Sequence, residues 1–394
     1  MAKLDKRLSL ILSEPVEKAY LDCVDELVVN ICKHLGTGKA FRTARWETLK
    51  LAELGQLTEE NAAIINRATK KVPGLIRDAL EESQKIALDD VEKLIETAIK
   101  SGAIEQAPTD SMQKVLSSLM EQALDEANLT NTTMLQSGQT AYLQAVQNTV
   151  SWQNKAISDI SGIYGYINEA ATSVQTHTAT FNQALKRSIS QLSNNGIYGF
   201  VDKAGRHWSP EAYMSMCIRT ASHNASIDSI RAKQQDYNSD IFQISSHAGA
   251  RPLCYPYQGK FYCWGREGGT FTDGRGVRHS YKPIFSTSYG EPAGIFGINC
   301  GHYPLPQIPR VSIPSDGVEQ NKEENDREYA LTQQQRALER RIRDAKRKES
   351  AFRAAGLTEE ADAQKAVIRS RQADMRAFIK KTGFKRQYDR EQIK

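Results

Sequence analysis

The stretch Ser245-Ser246-His247-Ala248-Gly249-Ala250-Arg251-Pro252 continues through Tyr255-Pro256-Tyr257-Gln258-Gly259-Lys260. It closes with Gly297-Ile298-Asn299-Cys300-Gly301-His302-Tyr303-Pro304, and its reading decides the fold. Eight of the twelve prolines fall between Pro252 and Pro314, together with three of the six cysteines, Cys254, Cys263 and Cys300. Glycine reaches positive φ and proline fixes φ at about −65°, so this density of both marks a succession of turns. Aromatic residues from Tyr255 to Phe296 fill the spaces between the turns. The pattern predicts a compact, loop-rich β module flanked on both sides by helix, hence an α+β chain.

Immediately upstream, Ile241-Phe242-Gln243-Ile244 reads as a short buried strand that delivers His247 at its end. Ser209 with Pro210 reads as the cap and first residue of a helix running to about Gln235, which carries Tyr213, Met216, Cys217 and Thr220 on one face and Arg219 mid-way. Before it, Ile197 to Val201 and His207-Trp208 flank Lys203-Ala204-Gly205 as a β-hairpin. Between Pro108 and Pro210 there is no proline, and Ile157, Ile160, Tyr164, Ile167, Ala171, Val174, Thr178, Phe181, Leu185, Ile189 and Leu192 step by three and four. This seam predicts an amphipathic helix spanning roughly 50 Å. Its flanks are Ser, Thr, Asn and Gln rather than paired charges, so it reads as a bundle helix.

The first helix is expected after Pro15, with a stripe of Val16, Tyr20, Val24, Leu27, Val28 and Ile31. Gly36-Thr37-Gly38-Lys39 resembles part of a phosphate loop, but helix precedes it and Ala40 follows, so a helix stop is the better reading. Thr43 to Leu54, a segment capped by Thr58, and Leu75 to Lys100 read as further helices, with Gly55 and Gly102 as stops and Thr109 or Asp110 starting the next. Downstream, Arg310 to Gly317 is a linker. A helical hairpin follows, with Leu331, Leu338, Ile342, Ala345 and Phe352 on one arm and Ala361, Ile368, Met375 and Phe378 on the other, punctuated by Gly356 and Gly383. The expected division is a helical assembly region over 1–193, a mixed module over 194–314, and a basic hairpin and tail over 315–394.

Of the 394 residues 40% are hydrophobic, and no apolar run approaches the ~18 residues of a membrane helix. A soluble protein made in the cytoplasm, without membrane contact, is expected. Six cysteines make no disulfide framework, and Cys23 and Cys32 fall in an apolar helical pattern as reduced core thiols. From Gln320 onward there are 20 Lys+Arg against 13 Asp+Glu, which leaves the rest of this +5 chain slightly acidic. Arg340, Arg341, Arg343, Lys346, Arg347 and Lys348 could therefore meet DNA, although a solvated helix face of mixed sign explains them as simply.

His247, Arg251, Cys254, Cys263, Cys300 and His302 are the groups that could carry chemistry. Cys and His are zinc ligands, yet their spacing lacks the paired two-residue knuckle, and packed thiols with hydrogen-bonded histidines are the plainer reading. A hydrolytic or metal-dependent site using His247, Cys300 and His302 is the rival from the enzyme class, without a recognisable oxyanion hole. Arg251, with Gln258 and Lys260 near it, suits either an anion or the locking of loop carbonyls. No cofactor is expected.

At these residues the sequence resembles the phage minor capsid protein 2 family, a relative of MuF-like head-morphogenesis proteins. Five stretches carry the resemblance: Gly199-Phe200-Val201-Asp202-Lys203-Ala204-Gly205-Arg206-His207-Trp208, Met216-Cys217-Ile218-Arg219-Thr220, Ser245 to Pro252 with Gln258-Gly259-Lys260, Gly297 to His302, and the tail from Tyr329 to Arg340 and near Lys385 to Arg390. It covers roughly 190–394, and the helical first half looks like the family's variable region. Where the family pattern carries a basic residue between the last Cys and His, this chain has Gly301. The resemblance implies a structural role without catalytic residues. The expected protein is a minor head protein of a tailed phage or prophage, present in several copies in the virion at the portal vertex or capsid interior. Portal protein, major capsid protein and packaged double-stranded DNA are the expected partners. Arg219, His247, Arg251, Gln258, Lys260, Asn299, Cys300 and His302 are the motif residues it marks as structural.

Overall fold

The computed structural model describes residues 5, 7–36, 43–105, 113–163, 169–195, 197–203, 205–317 and 321–393. The side chains of 43, 113–115, 156–163, 169–180 and 195 lie outside the description. Most of the seam from Ile157 to Thr178 falls on these, as do Thr37 to Lys39 and the start near Thr109. Among the described residues the chain forms α1 (Leu8–Gly36), α2 (Thr43–Ala52), α3 (Leu54–Thr69), α4 (Val72–Lys100), α5 (Gln113–Ile163) and α6 (Glu169–Asn195). The hairpin β1 (Phe200–Val201) and β2 (His207–Trp208) leads to α7 (Pro210–Asp236). Strands β3 (Ile241–Ile244), β4 (Phe261–Cys263), β5 (Gly269–Thr272), β6 (Arg278–Pro283) and β7 (Pro304–Pro306) follow, then α8 (Lys322–Ala354) and α9 (Thr358–Thr382). The architecture is α+β, mostly helical with one small mixed sheet.

Two compact units divide the chain, each assembled from three separated segments. One comprises Met1–Glu17, Lys71–Ala127 and Met214–Gln333. Its sheet has the order β5-β6-β4-β3-β7, antiparallel except for the β4–β6 pair. All four residues of β3 are buried, as a run apolar at all but one position predicts. Gln243 is accommodated because its amide donates to the carbonyls of Gly259 and Ser315 and accepts the Ser315 N–H. The prolines of β7 sit on an edge strand, where a missing N–H costs no ladder bond. Helices α4 and α7 are joined by serines: the Ser83 hydroxyl lies 2.7 Å from that of Ser226, which donates to the Ser83 carbonyl at 3.0 Å. Beside this, Ala87, Val91, Ile95 and Ile230 form an apolar cluster. Asn325, at the start of α8, exchanges two hydrogen bonds with the backbone of Ala250, at 2.6 and 2.7 Å, and so holds the loop after β3.

The other unit comprises Lys18–Lys70, Asn128–Tyr213 and Gln334–Lys394. The stripe read on α1 is buried at Tyr20, Val24, Leu27, Val28 and Ile31, and Leu185, Ile189 and Leu192 of the predicted seam are buried on α6. Trp46 meets Phe181 edge-on at 5.2 Å, and the Tyr142 hydroxyl donates to the Lys50 carbonyl. Gly36 ends α1 for a packing reason: a Cβ there would lie 2.4 Å from the Ala355 carbonyl oxygen. The glycine thus permits close backbone approach.

Several helix boundaries differ from the sequence reading, α4 among them, which starts at Val72 and runs through Pro73 and Gly74. α1 begins at Leu8 and carries Pro15 inside it. The residue four before, Ile11, is exposed, so a carbonyl left without its helical donor can turn to water. Gly55 lies within α3 rather than ending α2, and Thr58 sits a turn inside α3, its hydroxyl donating back to the Leu54 carbonyl at 2.7 Å. The breaks at Gly102, Gly356 and Gly383 fall where expected, all three in the left-handed region that glycine adopts without strain.

Candidate functional site: a buried cysteine–histidine cluster

Two loops converge on one cluster in the first unit. The loop between β3 and β4 supplies His247, Arg251, Cys254 and Gln258, and the loop before β7 supplies Phe296, Cys300 and His302. The second loop folds tightly because Gly294 and Gly297 leave no room for a side chain: Cβ atoms there would lie 1.8 and 2.6 Å from the carbonyl oxygens of Ser288 and Pro292. It also holds Phe296 at φ 61° and Asn299 at φ 55°, a conformation that asparagine tolerates and phenylalanine does not favour. That turn aims the Phe296 N–H at the Cys300 sulfur, 3.3 Å away.

The sulfur of Cys300 lies 3.9 Å from that of Cys254 and 3.5 Å from His302 Nδ1. On its far side His302 Nε2 is 3.0 Å from Gln258 Oε1, which also accepts the His247 N–H at 2.8 Å. The His247 ring stacks on His302 at 4.2 Å between centroids. Arg251 donates to the carbonyls of Ile298 and Gly294 at 2.8 and 3.3 Å and reaches Cys254 Sγ at 3.8 Å, so it locks the two loops together. The Cys254 thiol and the neighbouring imidazole hold the Cys300 thiol well below the ordinary range against the effect of burial. Its hydrogen bond to Cys300, with burial, pushes the Cys254 thiol up. Cys300 is 3% exposed and His302 1%.

Other candidate residues stand apart. Cys263, on β4, turns its thiol to the Glu267 carbonyl at 3.1 Å. Arg219, on α7, turns its guanidinium back to the Ser215 carbonyl at 3.0 Å. Lys260 and Asn299 are exposed. His223 is a participant that the spacing of histidines does not reveal. It is buried mid-way along α7, its Nε2 donates to the His302 carbonyl at 2.7 Å, and burial lowers its pKa. Of the basic residues on α8, Arg340 and Arg341 are exposed, whereas Arg347 is buried against Asp25. Arg343 donates to the Arg390 carbonyl, Lys346 to Gln392, and Lys348 lies over the Phe352 ring.

Among the described residues, Cys254, Cys300 and His302 are a group whose ligand-type atoms lie within 4.8 Å of one another. Its donors are those of a soft-metal or thiol site, sealed from solvent.

The family described as phage minor capsid protein 2 matches residues 4–380. The chain belongs to this family. The match extends through the helical first half, well beyond the 190–394 segment where sequence motifs are recognisable. A structural protein of Lactococcus phage LL-H is 28% identical over 360 residues, covering 90% of both chains. A structural protein of Lactococcus phage mv4 is 34% identical over 114 residues, which is 29% of this chain and 92% of that protein. No solved structure matches the chain. As a member of the phage minor capsid protein 2 family, the chain is classed with phage structural proteins. No helix among its described residues is long and apolar enough to cross a membrane.

Proposed function

We propose that this chain is a minor head protein of a tailed phage or prophage, built into the capsid interior or portal vertex, where it acts in head morphogenesis and DNA packaging. The observation that carries the proposal is the family match from residue 4 to 380, with a phage structural protein aligned along 90% of its own length. Portal protein and major capsid protein are the partners this role requires. The helices of 1–193 supply contact faces, the module over 194–314 supplies a rigid anchor, and the hairpin over 315–394 supplies positive charge. A substrate cannot approach a thiol as enclosed as Cys300, which argues against a hydrolytic role for His247, Cys300 and His302.

Nuclease-treated particles from the producing strain test the role directly. Quantitative mass spectrometry is expected to find the chain in the virion at a copy number close to that of the portal and far below that of the major capsid protein. Absence from particles, with the chain abundant in lysates, would overturn the proposal.

Any DNA contact falls to the exposed Arg340 and Arg341, with Arg343, Lys346 and Lys348 beside them. It is sequence-independent, so the affinity of the full chain for duplex DNA is expected to fall steeply as salt rises. Arg340→Ala with Arg341→Ala should flatten that slope by about 2. Binding that is insensitive to salt, or unchanged in the double variant, would remove DNA from the list of partners.

A further inference from the structure

We infer that Cys254, Cys300 and His302 bind a zinc ion that staples the loop between β3 and β4 to the loop before β7. The two separations made by the Cys300 sulfur are those of a zinc tetrahedron. With Zn–S of about 2.3 Å and Zn–N of about 2.0–2.1 Å, two thiolate ligands lie about 3.8 Å apart, and a thiolate and an imidazole nitrogen about 3.6 Å apart. The corresponding separations here are 3.9 Å and 3.5 Å, with all three donors within 4.8 Å.

The hydrogen bonds behind the donors select the ligand form of each. Gln258 Oε1 accepts the backbone N–H of His247, which identifies that atom as the amide oxygen. His302 Nε2 faces the same oxygen and therefore carries the ring proton, which leaves a lone pair on Nδ1 directed toward Cys300. Metal-bound histidines are held in the same way, the second ring nitrogen donating to a fixed acceptor. His223 adds a bond to the His302 carbonyl and steadies its backbone. At the sulfurs, the Phe296 N–H points at Cys300 and the Arg251 guanidinium stands beside Cys254; both favour thiolate over thiol.

The ion binds both sulfurs as thiolates, displacing whatever S–H proton they still carry, and His302 joins as the neutral base. Two thiolates, an imidazole and a divalent ion sum to zero charge, which suits an enclosed site. The soft donor set favours zinc over calcium or magnesium. The ion bridges residues 46 positions apart in sequence, in a module whose strands are three to six residues long and supply few ladder bonds. The inference rests on these residues alone, and its failure would leave the virion assignment untouched.

The experiment uses untagged full-length protein purified without chelator and with reductant. Elemental analysis by mass spectrometry should find one zinc per chain. Replacement by cobalt should give thiolate-to-cobalt charge-transfer absorption with strong tetrahedral visible bands. Cys300→Ser and Cys254→Ser should each lose both zinc and those bands, whereas Cys263→Ser and Cys217→Ser should keep them. Should the site variants fail to fold, the wild-type chain still decides. A zinc-specific chelator should raise alkylation of Cys254 and Cys300 and leave the buried Cys23 and Cys32 unchanged. Folded, reduced protein with far less than one zinc per chain would overturn the inference. So would cobalt bands that survive Cys300→Ser, or a Cys254–Cys300 disulfide in place of the metal.

Discussion

Arg347→Ala is expected to lower the stability of this protein by about 3–5 kcal/mol, as removal of one partner from a buried ion pair does. Arg347 Nε donates to Asp25 Oδ1 at 2.6 Å, and its Nη2 lies 4.0 Å from Glu211 Oε1. The arginine is 8% exposed, and both acids are buried with it. Alanine would strand two carboxylates in a space that water reaches poorly, without the cation that compensates them. Urea unfolding followed by circular dichroism should show a large drop in midpoint. Arg340→Ala, on the exposed face of the same helix, should stay within about 0.5 kcal/mol of wild type. Arg347→Met keeps the aliphatic stem but not the charge, so it should be almost as damaging, which would separate loss of charge from loss of packing. An unchanged midpoint for Arg347→Ala would mean that Asp25 and Glu211 find other partners.

The same residue shows where sequence reading stops. Read along the chain, Arg347 belongs to a basic run that could face DNA. A helix turns by about 100° per residue, so six basic positions between 340 and 348 cannot share one face. Which of them turns inward is decided by Asp25, 322 residues away in sequence, and no local pattern records that. Features that were legible have local causes. β3 is buried on both faces and therefore reads as a run that is apolar apart from Gln243. The α8–α9 hairpin reverses at Gly356 because its left-handed backbone suits glycine. Gly55 misled for a local reason as well: glycine is permissive rather than obligatory as a stop, and α3 runs through it.

The cluster was legible in part for the same reason. Cys300 and His302 are two apart, so an extended segment turns both side chains the same way. Cys254 and His223 lie 46 and 79 positions from their partners, and only the tertiary fold brings them in. The stacking of His247 on His302 and the role of Gln258 as a shared acceptor have no sequence signature.

The fold that gathers those loops depends on Phe242, and Phe242→Ala should cost about 3–5 kcal/mol, the range for a large buried aromatic truncated to a methyl. Phe242 sits in the middle of β3, pairs with Tyr262 on one side and Pro306 on the other, and is fully enclosed. Its ring lies 4.4 Å from that of Trp264 and 6.1 Å from that of Phe296, within a cluster that includes Ile244, Ile284, Ile295, Cys254 and Cys300. The cavity would open directly beside Phe296, whose strained turn supplies the N–H to Cys300, so the loss should reach the thiol site as well as the sheet. Phe242→Leu fills most of the volume and should cost markedly less. Trp264 is the one tryptophan of its unit and reports on it by fluorescence. In Phe242→Ala its emission should shift to that of exposed indole at a lower urea concentration than in wild type. Alkylation of Cys300 should quicken in parallel. If the Trp264 transition stayed within about 0.5 kcal/mol of wild type, the aromatic cluster around β3 would be dispensable packing rather than the support of the site.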